Sequence, residues 1–116
     1  MSSDLFPIQQ VLSGEGKLTD SAHQEKITPD LAKDLYCKML RARMFDQKCF
    51  NLQRQGRIGT YVQFEGQEAA QIGSASALED GDWMFPTYRD HAATITFGHS
   101  LRNQLLYWKG RPEGCV

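Results

Sequence analysis

The sequence predicts a mostly α-helical chain with one short strand. Three observations lead there. Apolar residues recur at three- and four-residue steps from Leu31 to Leu52. Helix caps and glycine stops punctuate the rest of the chain, at Gly66, Gly98, Ser100 and Gly110. One apolar run, Trp83-Met84-Phe85, is too brief for a helix and is bounded by turn residues.

Residues 1 to about 27 are polar and irregular, with Pro7, Gly14 and Gly16, and read as an N-terminal arm. Thr28-Pro29-Asp30 is a helix start: a capping hydroxyl, a proline suited to the first turn and an acid against the helix dipole. The stripe Leu31, Leu35, Met39, Ala42, Phe45, Cys49, Leu52 extends that helix to Gln55-Gly56. Tyr36, Leu40 and Phe50 widen the stripe, which predicts burial on more than one side. Arg57 to Phe64 alternates roughly and is an extended segment or a shaped loop. A second helix follows from Gln67 to about Leu78. Its small residues, Ala69, Ala70, Gly73, Ser74 and Ala75 among them, predict close packing against a neighbouring helix or subunit.

Glu79-Asp80-Gly81-Asp82 is a turn. Trp83-Met84-Phe85 is then expected as a buried strand stopped by Pro86. A third helix is expected from Thr87 or Tyr88 to Phe97, with Gly98 at its C-terminal side. Ser100 caps a fourth, which carries Leu101, Leu105, Leu106 and Trp108 and stops at Gly110. No closing element follows Pro112, so residues 28–116 are expected to be part of a larger domain.

Composition narrows the functional class. Over 116 residues, hydrophobic residues make up 41% and charged residues 23%, with a formal net charge of -1. Basic residues are scattered among acids and glutamines, which argues against nucleic acid as a partner. Cys37, Cys49 and Cys115 show no metal or redox spacing and fit a reducing compartment, and Cys37 and Cys49, inside the helical pattern, are expected to pack as small apolar groups. No apolar run approaches a membrane span. The start, Met1 to Pro7, lacks a basic stretch followed by an apolar core. A cytoplasmic location without membrane association is the expectation.

Chemistry concentrates at Tyr88-Arg89-Asp90-His91, between the expected strand and the opening of the third helix. A helix start with free amides beside an arginine suits an anion, phosphate above all. Arg89 can fork onto phosphate oxygens, Tyr88 can donate a hydroxyl, and His91 can give or take a proton. The competing interpretation pairs Arg89 with Asp90 or Asp82 and makes His91 a satisfied, partly buried side chain. His23, His91 and His99 form no metal-ligand pattern, and phosphate-loop, dinucleotide and nucleophile-elbow motifs are absent.

The stretch GRIGTYVQFEGQEAAQIGSASALEDGDWMFPTYRDHA resembles the alpha subunits of thiamine-diphosphate-dependent 2-oxo acid dehydrogenase complexes. The resemblance runs from about Leu31 to Pro112 and rests on the order and spacing of several modest strings. It implies a parent α/β thiamine-diphosphate-binding fold, of which this chain is a mostly helical N-terminal segment with one short strand. It implies that Tyr88 and Arg89 bind the cofactor's diphosphate, and that Tyr61 lies on the substrate side of an active-site funnel. His91 matches a histidine of many members and is the candidate catalytic residue. Val62 stands where some relatives carry a catalytic-type histidine, so a proton-transfer role for that segment is in doubt. Gln67 and Glu68 are expected to be structural.

The cofactor implied is thiamine diphosphate with Mg2+, whose metal ligands would lie outside this chain. The only comparable acidic string, Asp80-Gly81-Asp82, reads as a surface turn. The implied partners are a beta subunit and a second alpha subunit in a heterotetramer, and the lipoyl-bearing acyltransferase of the complex. The implied reaction is oxidative decarboxylation of a 2-oxo acid with acyl transfer to a lipoyl group, pyruvate being favoured over branched-chain 2-oxo acids or acetoin. The isolated chain is expected to be inactive and to bind the cofactor weakly or not at all. The alternatives are a helical interaction module and an unrelated anion-binding protein.

Overall fold

Local chemistry starts and stops the first helix where the sequence places it. The structure, a computed structural model, describes residues 10–19 and 27–115. The Leu31 N–H donates to the Thr28 hydroxyl at 3.2 Å, and helix α1 runs Pro29–Arg54. Gly56 ends it at φ +66°, a conformation that a Cβ would strain. Beyond lie α2 (Glu68–Ala75), α3 (His91–Thr96), α4 (Leu101–Trp108) and a 3-10 turn (Pro112–Cys115). The Ser100 hydroxyl caps α4 by accepting from the Asn103 N–H at 3.0 Å, and Gly98 and Gly110 take positive φ as stops.

The chain divides between Lys33 and Asp34 into two compact units. Most of the expected polar arm, His23 included, falls outside the described residues. Residues 10–19 make a tight reversal closed by an antiparallel bridge between Leu12 and Leu18, with Gly16 at φ +75°. The Ser13 hydroxyl accepts from the Glu15 and Lys17 amides inside that turn.

In the second unit the core gathers Ala42, Phe45 and Cys49 of α1, Tyr61 and Phe64 of the following loop, Ile72 of α2 and Ala92 of α3. Leu35, Met39, Ile95, Leu105 and Trp108 pack around it. Burial of these apolar side chains is the driving term, each worth about 1.5–3 kcal/mol when fully enclosed.

Four expectations need correction. Helix α1 is buried along one stripe only, because Tyr36, Leu40 and Met44 stand 61%, 48% and 64% exposed. A wide apolar surface permits burial, but a second layer must exist to cover it. Trp83-Met84-Phe85 is neither strand nor buried: Trp83 is 81% and Phe85 87% exposed, and their rings stack on each other at 6.4 Å. No named strand occurs among the described residues. Helix α3 starts at His91, not at Thr87 or Tyr88, because the Asp90 carboxylate accepts from the Thr87 N–H (2.7 Å) and hydroxyl (2.8 Å) and folds that stretch into a turn. Helix α2 stops at Ala75, short of Leu78. It packs on α3, yet Gly73 faces open space, so close approach is not made at that glycine within this chain.

Candidate functional site

The loop between α1 and α2 is the shaped alternative of the two that the sequence left open, and five hydrogen bonds hold it. The Gly59 N–H donates to the Trp108 carbonyl at 2.7 Å, and a Cβ on Gly59 would stand 3.1 Å from that oxygen. The Tyr61 N–H donates to Gln53 Oε1 at 3.1 Å. The Tyr61 hydroxyl and the Phe64 N–H both donate to Asp46 Oδ1, at 2.7 and 3.1 Å. The Gln63 carbonyl accepts from Arg89 Nη1.

Asp46 is fully buried, and its Oδ2 is enclosed without a hydrogen-bond partner among the described residues. Its only signal in the sequence is its place on the buried stripe, four residues after Ala42 and three before Cys49. Burial, followed by the bond to Asp46, pushes the Tyr61 hydroxyl well above its ordinary range and keeps it protonated. Burial likewise raises the Cys49 thiol to about 12, so it behaves as an inert packing group. Tyr61 is therefore an interior residue here, and its hydroxyl is committed to Asp46.

His91 is also interior, only 2% exposed. Its ring stacks on Tyr61 at 5.3 Å and meets Phe64 and Trp108 edge-on at 5.7 and 5.2 Å. Gln104 Nε2 lies 3.0 Å from Nδ1 and donates to it, which leaves the ring proton on Nε2. Burial lowers its pKa from 6.5 to about 4, so the ring is neutral near pH 7. His91 is thus buried more deeply than the competing interpretation, a partly buried side chain, had it.

Tyr88 and Arg89 sit in the turn before α3. Tyr88 is 63% exposed, Arg89 is half-buried, and the guanidinium lies over the Tyr88 ring at 5.8 Å. Among the described residues the ion pairs are Lys17–Glu15, Lys38–Asp34, Arg43–Glu65 and Arg43–Glu68, so Arg89 is in none of them. Asp90 is turned onto Thr87, and Asp82 accepts from the Glu79 N–H at 2.8 Å in the exposed acidic turn. Among the described residues Arg89 pairs with neither carboxylate. One of the amides expected to be free at the α3 opening is taken: the Ala92 N–H donates to Gln71 Oε1 at 3.0 Å. Tyr88 and His91, but not Arg89, line an open cleft of about 700 Å³ that also borders His99, Ser100 and Tyr107.

Glu68 has the structural role expected of it. It is buried, accepts from Arg43 Nε and from the Gly66 N–H (3.0 Å), and is held below the usual carboxylate range by the Arg43 guanidinium. No group of three or more His, Cys, Asp or Glu side chains among the described residues converges to hold a metal ion. No helix among them is long and apolar enough to cross a membrane.

The arrangement joins an exposed tyrosine and an arginine free of carboxylates to a loop pinned at both ends, a combination suited to gripping an anionic group. Comparison with known proteins agrees with the resemblance noted above. The chain is 43% identical over 96 residues to the pyruvate dehydrogenase E1 component subunit alpha of Acholeplasma laidlawii, covering 79% of this chain and 28% of that protein. It is 36% identical to the subunit of the same name from Mycoplasma genitalium, covering 92% of this chain and 30% of that protein. It is 33% identical to the 3-methyl-2-oxobutanoate dehydrogenase subunit alpha of Mycobacterium tuberculosis, covering 98% of this chain and 31% of that protein. The chain thus spans somewhat under a third of the length of these curated relatives. The model of the dehydrogenase E1 component family matches residues 36–115, which include α2, α3, α4 and the Tyr88–Arg89 turn, and the chain belongs to that family.

Proposed function

We propose that this chain forms part of the alpha subunit of a thiamine-diphosphate-dependent 2-oxo acid dehydrogenase, and that Tyr88 and Arg89 hold the cofactor's diphosphate. The observation that carries this is the state of Arg89. Its charge has no carboxylate beside it among the described residues, and one N–H is spent on the Gln63 carbonyl. A guanidinium has five N–H donors, so the remaining ones fit phosphate oxygens, and the solvent-facing Tyr88 hydroxyl adds another donor. Bound thiamine diphosphate supplies an electron sink that lets a 2-oxo acid lose carbon dioxide. This chain's residues bind and orient. Arg89 and Tyr88 fix the diphosphate end, while the Asp46-held loop keeps the Tyr61 segment in register with them.

His91, neutral and buried, shapes that wall, with its Nδ1 occupied by Gln104. Pyruvate is the proposed substrate, with acyl transfer to lipoyl groups, on the strength of the 43% and 36% identical relatives. The proposed assembly is a cytoplasmic heterotetramer with beta subunits, and Mg2+ is held by residues outside this chain. A branched-chain 2-oxo acid as substrate is the second interpretation, favoured by the Mycobacterium tuberculosis relative that aligns with 98% of the chain.

The test uses the assembled enzyme that contains this chain. Arg89→Ala is expected to raise the half-saturating concentration of thiamine diphosphate about a hundredfold, the loss of two charge-assisted hydrogen bonds. An unchanged half-saturation refutes the anchor. Faster turnover of 3-methyl-2-oxobutanoate than of pyruvate would replace the first substrate assignment by the second.

A further inference from the structure

We propose that Gln71 is a positioning residue that sets the direction of the diphosphate anchor. The inference rests on Tyr88 and Arg89 being that anchor. Gln71 is a buried polar side chain on α2, 7% exposed, and each end of its amide is used. Its Nε2 donates to the Arg89 carbonyl at 3.1 Å and to Gln67 Oε1 at 3.1 Å. Its Oε1 accepts from the Ala92 N–H at 3.0 Å. One side chain therefore grips the backbone on both sides of His91.

The consequence for Arg89 is geometric. Residues 87–90 form a turn that Asp90 closes from within through Thr87. Helix α3 has only six residues, and its opening shows no side-chain cap from Asp90. Without an external hold, the peptide that carries the Arg89 carbonyl can rotate, and the guanidinium rotates with it. Gln71 supplies that hold from α2, and the Gln63 carbonyl holds the far end of the same side chain. Arg89 is thus fixed at its backbone by α2 and at its guanidinium by the loop, while its remaining N–H donors have no hydrogen-bond partner among the described residues.

A glutamine does this better than other residues because it presents a donor and an acceptor in one plane. A glutamate keeps the acceptor for Ala92 but turns a second acceptor toward the Arg89 carbonyl. A methionine keeps the volume and loses all three bonds, the two to the backbone among them.

The experiment measures the affinity for thiamine diphosphate by calorimetric titration, its half-saturating concentration, and turnover at saturating cofactor, in the assembled enzyme carrying Gln71→Met or Gln71→Glu, with Arg89→Ala in parallel. Gln71→Met, which loses both backbone holds, is expected to raise the half-saturating concentration about tenfold, and Gln71→Glu, which loses the bond to the Arg89 carbonyl and sets an acceptor against it, by about as much. Turnover at saturating cofactor should stay within about twofold, because a bound diphosphate re-imposes the anchor geometry. A residue that merely supports folding would lower thermal stability and the active fraction without moving cofactor half-saturation. That outcome, or failure of both variants to assemble, overturns the inference. If Arg89→Ala shifts half-saturation and neither Gln71 variant does, the anchor stands and the role of Gln71 falls. If Arg89→Ala leaves it unchanged, the anchor falls, and the role of Gln71 falls with it.

Discussion

Replacing Asp46 should loosen one loop far more than it loosens the helix that carries the residue. Asp46 Oδ1 accepts from the Tyr61 hydroxyl at 2.7 Å and the Phe64 N–H at 3.1 Å, and the carboxyl group is fully buried. Each hydrogen bond to a charged group contributes about 1.5–3 kcal/mol, so both together contribute about 3 kcal/mol at the lower end. In Asp46→Ala the Tyr61 hydroxyl and the Phe64 amide also stay buried without an acceptor, which adds to the loss. A loss of about 3 kcal/mol makes local opening of residues 57–64 about 150-fold more frequent.

Hydrogen exchange read by mass spectrometry on the enzyme containing this chain measures that opening directly. Peptides spanning 57–64 should exchange faster by about that factor in Asp46→Ala, while peptides from the middle of α1 change little. Asp46→Asn keeps the Oδ1 acceptor and loses only the charge, so about a fivefold change is expected, for a cost of about 1 kcal/mol. Tyr61→Phe removes one of the two bonds and should fall between them. Unchanged protection in Asp46→Ala would refute the claim that this carboxylate holds the loop. Equal effects from the alanine and asparagine variants would refute the weight given to the acceptor.

Two further outcomes follow from the same geometry. His91 has its pKa depressed from 6.5 to about 4 by burial, so its neutral form is favoured in the folded state. Below pH 6.5 the unfolded chain takes up the proton first, so stability is fully present above that value, declines as pH falls and stops declining near pH 4. Thermal unfolding midpoints over that window should drop with the slope of one proton, and His91→Phe should flatten the slope. A Cβ at Gly114 would stand 2.7 Å from the Asn103 carbonyl oxygen and collide with the Tyr107 amide nitrogen. Gly114→Ala should therefore displace the 3-10 turn from α4 and lower the unfolding midpoint, whereas Gly73→Ala, facing open space, should not.

The predictions that succeeded rest on interactions within a few residues of chain. Thr28 and Ser100 cap helices because each hydroxyl meets an amide three residues on, at 3.2 and 3.0 Å. Gly56, Gly98 and Gly110 stop helices because they alone enter positive φ without strain there. The family was legible for a related reason, since it rests on ordered short strings along residues 36–115.

Tertiary contacts decided the rest. Trp83 and Phe85 have the composition of a buried strand, yet burial needs a surface packed over both rings, and the described residues leave them exposed. Asp46 and Gln71 carry no local signal of importance beyond falling on a buried stripe. Their roles exist only because Tyr61, Phe64, Arg89 and Ala92 arrive from distant parts of the chain with donors and acceptors in reach. The sequence by itself determined where helices begin and end and which family they belong to, because caps, glycines and motif order are local. Only the tertiary structure decided that Arg89 pairs with a carbonyl instead of a carboxylate and that His91 is neutral and enclosed. A side chain's partner and its solvation are properties of what surrounds it in space, and those neighbours are set by packing.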